Sequence, residues 1–236
     1  MDERSRILTS LLPNNFEWTL TETVNFNSPN DFHVRFRVKV STSNDTFSWV
    51  DAFRKTSLCD WNLRESRVEK TKAQLLRKYF CSHGKWRKTK QSGGKSTGCS
   101  ASMLVKLKNA SRHVLRHDDF AKSGYFLCVE LVWSHNHPVV SADALRYRLP
   151  SKDLESTFRT YFDEGMNSSS SRSHHKTVIE FEAAQSDENV QIAIADGSKN
   201  PKAPIVQKWF VVVLVLFQVR EVETRKVWRA ITAFHD

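Results

Sequence analysis

The sequence predicts an α+β protein: a small antiparallel β-sheet closed at one end by a CCHH zinc site, followed by a helical, helix-turn-helix-like region. Three observations carry this expectation. An alternating apolar run ends in Ser134-His135-Asn136-His137-Pro138, which places two imidazoles one residue apart. Upstream, Cys81 and Cys99 lie in a stretch crowded with lysine and arginine. Beyond Pro138 the apolar spacing changes from alternation to helical periodicity. Two thiolates with two imidazoles form the donor set of a tetrahedral structural zinc site, which leaves no position open for catalysis. Zn2+ is therefore the expected cofactor.

Residues 1–66 are expected to form a strand and helix extension. HVRFRVKV alternates Val34, Phe36, Val38 and Val40 with polar or charged residues, the pattern of a half-buried strand. Thr46 is placed to cap a helix over FSWVDAFRKTS, with Phe47, Val50 and Phe53 at helical spacing.

Residues 67–140 are the expected metal-stapled module, with strands over RKYFCSH, CSASMLVKL and YFLCVELVWSHNH and a Gly/Ser-rich loop, QSGGKSTG. Alternate strand residues share a face, so His135 and His137 can grip one ion from a single strand end. By the same parity Cys128 points to the opposite face and is expected in a core. Cys81 and Cys99 sit at the two mouths of one loop, while Cys59 lies beside a helix end and is expected to be structural. Taken on spacing alone, the alternative is that the cysteines are buried apolar thiols and the histidines are surface residues.

Residues 141–207 are expected to be helical. Ser151 suits the N-cap of KDLESTFRTYFDE, whose Leu154, Phe158, Tyr161 and Phe162 share a face, and Gly165 suits its stop. A second helix is expected from about Ser170 to Ala184, then a short segment ENVQIAIAD and the breaker cluster DGSKNPKAP. Helix, turn, helix is the outline of a DNA-reading motif, although two merely packed helices give the same outline. Residues 208–236 are expected to be an apolar run and then a mixed-charge tail.

Charge points to the partner. The chain of 236 residues carries a net charge of +10, and it is unevenly spread. Between Arg64 and Lys122 there are sixteen Lys/Arg against four Asp/Glu, so the remainder holds 36 − 16 = 20 basic and 26 − 4 = 22 acidic residues. A block this basic, interleaved with Tyr79, Phe80 and Trp86, is the footprint of a polyanion, so double-stranded DNA is the expected partner. Arg77, Lys78, Lys85, Arg87, Lys88, Lys90 and Lys95 are the candidate DNA contacts, most of them to phosphate. Other proteins are the alternative partner. The first thirty residues offer only the short apolar stretch Ile7 to Leu12, not the apolar core of a signal peptide. A reducing intracellular compartment is expected, in which clustered Cys and His serve as metal ligands. The longest apolar run, Phe210 to Phe217, is eight residues, short of a membrane span.

The spacing C-x17-C, then 35 residues and H-x-H, with WSHNHP closing the last strand, resembles the WRKY/GCM-type zinc-finger superfamily. Within it the segment is most similar to the FLYWCH and FAR-type modules at the front of Mutator-like transposases and of proteins derived from them. The resemblance covers about residues 47–140, through FSWVDAF, RKYFCSHGKWRK, SGGKSTGCSASMLVKL and HNHP. It implies a four- to five-stranded antiparallel sheet, zinc held by Cys81, Cys99, His135 and His137, and a nuclear, transposon-derived DNA-binding protein without enzymatic activity. The alternatives are a zinc-finger adaptor between proteins and the N-terminal fragment of a full transposase. The WRKYGQK reading strand of the plant factors is absent, with GKWRKTKQ its nearest counterpart, so no target sequence is implied. No SWIM-type C-x-C and H-x-H follow downstream. The contiguous H-N-H lacks the spread ββα frame of HNH nucleases, and no acidic triad can be assembled from strand ends.

Overall fold

The structure, a computed structural model, describes residues 3–69, 73–84 and 96–216. The chain divides into two compact units, Met1–Val140 and Ser141–Asp236.

The first unit holds α1 (Glu3–Leu11), β1 (Trp18–Ser28), β2 (Asp31–Val38), α2 (Ser43–Thr56), β3 (Trp61–Glu69), β4 (Ala73–Cys81) and β5 (Ser102–Lys108). The short helices α3 (Arg112–His117) and α4 (Asp119–Lys122) follow, then β6 (Leu127–Ser134). The strands form one six-stranded sheet in the order β1-β2-β6-β5-β4-β3, with every neighbouring pair antiparallel. The α+β expectation therefore holds, with a larger sheet than the sequence suggested. Residues 1–66 are no extension: β2 lies directly on β6, and β3 pairs with β4 across position 66. A sheet of residues 67–140 alone would leave these backbone edges unpaired.

Alternation is cleanest where the sheet is covered on one side only. Phe32, Val34, Phe36 and Val38 of β2 are buried, as are Leu127, Val129, Leu131 and Trp133 of β6 and Met103, Val105 and Leu107 of β5. They join Leu8 and Leu12 of α1 and Trp49, Val50 and Phe53 of α2 in one core. Each such side chain taken fully from water contributes about 1.5–3 kcal/mol of transfer free energy. A file of rings crosses this core: Trp49 stacks on Phe53 at 5.4 Å, Phe53 lies 6.0 Å from Trp61, and Trp61 6.2 Å from Trp133.

Helix α2 starts four residues earlier than the sequence indicated. Thr42, not Thr46, is the N-cap, its hydroxyl accepting from the Asp45 N–H. Thr46 is instead buried inside the helix, donating its own hydroxyl to the Thr42 carbonyl at 2.9 Å. A threonine is satisfied in either place, and the apolar side chains behind it decide which.

The second unit contains α5 (Ala142–Leu145), α6 (Lys152–Asp163), α7 (Ser168–Gln185), α8 (Val190–Ala195) and a further helix, α9, over residues 203–216. Ser151 is the N-cap of α6 but makes no side-chain capping bond; its N–H is held by the Ser198 carbonyl at 3.1 Å. Gly165, at φ +88°, ends α6 with paired bonds: Gly165 N–H to the Phe162 carbonyl and Met166 N–H to the Tyr161 carbonyl, both 3.0 Å. Asn167 caps α7, two residues ahead of the expected start. The expected boundary at 207/208 falls inside α9, whose Val206, Trp209, Phe210 and Val213 pack on Leu154, Phe158 and Phe162 of α6. Of residues 208–216, Trp209, Phe210 and Val213 thus join the core, and the rest of the expected tail beyond residue 216 lies outside the described residues. Among the described residues no helix is long and apolar enough to cross a membrane.

Candidate metal centre

Strand parity assembles the site. Cys81 continues the covered-face series Ala73, Leu75, Tyr79 of β4; Cys99 precedes Ala101 and Met103; His135 follows Leu131 and Trp133. β4, β5 and β6 are hydrogen-bonded neighbours in register, so these positions meet at one end of the sheet. Cys81, Cys99, His135 and His137 each offer one donor atom, and all four atoms lie within 4.8 Å of one another. Cys81 Sγ is 3.3 Å from His137 Nε2, Cys99 Sγ 3.4 Å from His135 Nδ1, and those two imidazole nitrogens 3.3 Å apart. The group could hold a metal ion.

The surroundings orient each donor. His135 lies edge-on to Trp133 at 4.4 Å and to Trp61 at 6.0 Å, which turns Nδ1 toward the cluster. Its Nε2 is buried there without a hydrogen-bond partner. His137 presents Nε2 because its Nδ1 is held 3.0 Å from the Pro138 carbonyl, the kind of outer contact that fixes a ligand's tautomer. Asn136 between them turns away, its amide donating to the Thr97 carbonyl and accepting from the Thr97 hydroxyl, both at 2.8 Å. That clamp ties the β6 end to the loop before Cys99.

The turn after Cys81 is equally constrained. The Gly84 N–H bonds the Cys81 carbonyl at 2.9 Å, and Thr97 and Cys99 both donate to the His83 carbonyl. A Cβ at Gly84 would meet the Cys81 carbonyl at 3.0 Å and the Cys99 carbonyl at 3.2 Å, so a side chain there would push the two ligand-bearing segments apart. The His83 N–H points at Cys81 Sγ at 3.4 Å, and its ring stacks on His137 at 4.3 Å. The contact with Cys59 and burial suppress ionisation of the Cys81 thiol in the absence of a cation. The Cys81 thiol is pushed up to about 12, chiefly by its contact with Cys59 and then by desolvation. A bound cation reverses that balance, and binding releases the thiol protons.

Cys128 lies on the opposite face of β6, with its thiol against the Phe126 carbonyl, outside the cluster as parity required, but half-buried on the uncovered face and not in the expected core. Cys59 is closer to the site than the sequence suggested. It is buried two residues before β3, its Sγ 3.9 Å from Cys81 Sγ. Only recognition of β3 as a strand, on which Cys59 shares the parity of Trp61, could have revealed this.

Of the residues expected to contact DNA, Lys85, Arg87, Lys88, Lys90 and Lys95 lie outside the described residues, as does Trp86. Arg77 falls on the covered face, its guanidinium 4.1 Å from the centre of the Phe47 ring of α2 and 3.5 Å from the Tyr79 hydroxyl. It is half-buried there against Phe47, on the other face of the sheet from Lys78. Lys78 is on the uncovered face, its ammonium 5.3 Å from the Phe80 ring, which Arg64 flanks at 5.8 Å.

Charge on that uncovered face is divided. Toward β1, β2 and β6, and at the last residue of β5, the cations are matched: Arg35 by Glu22 and Glu130, Lys39 by Glu17, and Arg37 and Lys108 by Asp118. Toward β4 and β5, neither Lys78 nor Lys106 has an ion-pair partner among the described residues. Comparison with protein-family models, with characterised proteins and with solved structures found no match to the chain.

Proposed function

We propose that the chain is a zinc-dependent DNA-binding protein of the nucleus, the recognition part of a Mutator-like, transposase-derived protein similar to the FLYWCH/FAR modules. The geometry of the donor tetrad carries this reading. Bonds of about 2.3 Å to sulfur and 2.0–2.1 Å to nitrogen at tetrahedral angles require N···N of about 3.3 Å and S···N of about 3.6 Å. The donors stand at 3.3 Å for N···N and at 3.3 and 3.4 Å for S···N. Two thiolates select a borderline-soft ion over calcium or magnesium. With all four positions supplied by the chain, zinc would act as a staple and not as a Lewis acid toward a substrate.

The electrostatics support a polyanion partner. The sixteen-to-four excess of basic residues between Arg64 and Lys122 surrounds the staple in sequence. Lys78 and Lys106 on the uncovered face, with the cations of the Cys81–Cys99 loop, are the contacts we assign to phosphate. Salt dependence tests the reading against a protein–protein adaptor. If six to eight cations meet phosphate, affinity for duplex DNA falls by roughly three to four decades between 50 and 200 mM salt. Lys78→Ala with Lys106→Ala should shallow the log–log slope by about 0.9 per contact. Salt-independent binding, or none, rejects duplex DNA as the partner.

A further inference from the structure

We infer that Cys59 and Cys81 form a redox pair: a small two-electron oxidant of the peroxide class joins them in a disulfide, takes Cys81 away from the metal tetrad and releases the ion. The inference rests on the zinc reading for its consequence but not for its geometry.

Helix α2 ends at Thr56 with Ser57 as its C-cap, and Leu58 takes a left-handed φ of +53°, the usual device for turning a chain sharply off a helix end. That turn delivers Cys59 onto the covered face, two residues before Trp61, the register partner of Cys81. Backbone pairing continues past the strand end through Ser82 N–H to the Asp60 carbonyl at 2.9 Å, so Cys59 is a diagonal neighbour of Cys81 on one face. The two sulfurs are in contact at 3.9 Å. A disulfide requires about 2.05 Å, a closing of roughly 1.9 Å; diagonal strand neighbours stand about 7–8 Å apart, at the limit of what a disulfide spans, so the turn through Leu58 must draw Cys59 inward as the bond forms. Cys128 faces away on the other side of the sheet, so Cys59 is the thiol outside the tetrad within reach.

Cys59 and Cys81 are only 4% and 1% exposed, which bars bulky oxidants and leaves small ones such as hydrogen peroxide. The balance is Cys81 thiolate plus Cys59 thiol plus peroxide giving the disulfide, one water and one hydroxide. The peroxide O–O bond breaks, each sulfur gives up one electron, and the Cys59 proton leaves in the water. With zinc bound, Cys81 would cease to be one of its ligands in the same change. Cys99, His135 and His137 then remain as three donors.

The test uses the full chain loaded with zinc and treated with hydrogen peroxide. Metal release is followed with a chromophoric chelator, and residual thiols are alkylated before peptide mass mapping. The expected result is release in step with a Cys59–Cys81 linked peptide, reversed by dithiothreitol. Cys59→Ala should bind zinc as the native chain does yet release it at least tenfold more slowly; Cys59→Ser serves if the alanine variant does not fold. A Cys81–Cys99 linkage in the native chain, or unchanged release from the Cys59 variant, overturns the proposal. If the purified chain binds no metal, the zinc reading fails, and mapping of the metal-free chain still decides the pair: a Cys59–Cys81 linkage supports it, and any other linkage overturns it.

Discussion

The sheet unit and the helical unit close their cores by different means. In the sheet unit, apolar burial is one-sided, and the end of the sheet away from the α3–α4 connection is tied by the Cys81, Cys99, His135, His137 cluster and the Asn136–Thr97 clamp. The helical unit has no Cys/His cluster among its described residues. Its ties are buried polar contacts: Arg148 with Asp196 at 2.6 Å, and Tyr161 hydroxyl to His175 Nδ1 at 3.2 Å, whose Nε2 lies 3.0 Å from the Lys199 carbonyl. The Asp196 turn is tight enough that a Cβ at Gly197 would sit 2.5 Å from the Arg148 carbonyl. One unit should therefore answer to chelators and oxidants, and the other to pH and to loss of a single charge. Hydrogen exchange with peptide-level readout separates them within the full chain.

Metal removal should give the largest contrast. Structural zinc sites bind with apparent free energies of about 10–16 kcal/mol, which is stability when the unfolded chain has no site. Chelation should deprotect residues 73–84 and 96–108 and the β6 end while leaving α6 and α7 unchanged. Loss of protection in α6 and α7 on chelation would break the comparison.

Next in size is the buried pair of the helical unit, whose side chains are 8% and 6% exposed. Arg148→Met leaves the Asp196 carboxylate buried with its main partner gone, a change that costs about 3–5 kcal/mol in comparable pairs. The denaturation midpoint of residues 141–216 should fall while metal content stays at the native level. A fall in metal content would show that the two units are not independent in this respect.

Much of this division was legible in the sequence. The covered strands β2, β5 and β6 announce themselves by unbroken alternation, and parity sets His135 and His137 on one face; Cys81 and Cys99 are legible only as the two mouths of one loop, a spacing that fits buried apolar thiols equally well. The two edge strands do not. β1 carries register shifts at Leu20/Glu22, Thr23/Asn25 and Phe26/Ser28, each of which breaks period two. β3 shifts at Leu63/Glu65, and it leaves Leu63 and Val68 exposed, so it shows no apolar face to read. Missing β3 hid both the sheet's full width and the approach of Cys59 to Cys81. The second half of α9 does not declare itself a packed helix because its sequence is apolar all round, without the stripe that marks one; Val206 and Val213 are buried while Val211, Leu214 and Val215 are exposed.

The pH response is the smaller effect. Burial holds the His175 pKa below the ordinary histidine value, partly offset by the Lys199 carbonyl. The folded unit therefore favours the neutral ring, and the unfolded chain takes up the proton first. The stability due to this group is fully present above about pH 6.5 and is lost as pH falls through the lowered folded value, at no more than about 1.4 kcal/mol per pH unit. His175→Gln should flatten this slope in the helical unit. An unchanged slope would remove His175 from the account.

The most direct test of the central claim is the metal count. Native mass spectrometry with elemental analysis, on chain purified without chelator, should find one zinc per chain in the native protein and in Cys128→Ser, and none in Cys99→Ser. Zinc retained by Cys99→Ser and lost from Cys128→Ser would contradict the tetrad, because it would place the metal on the opposite face of β6.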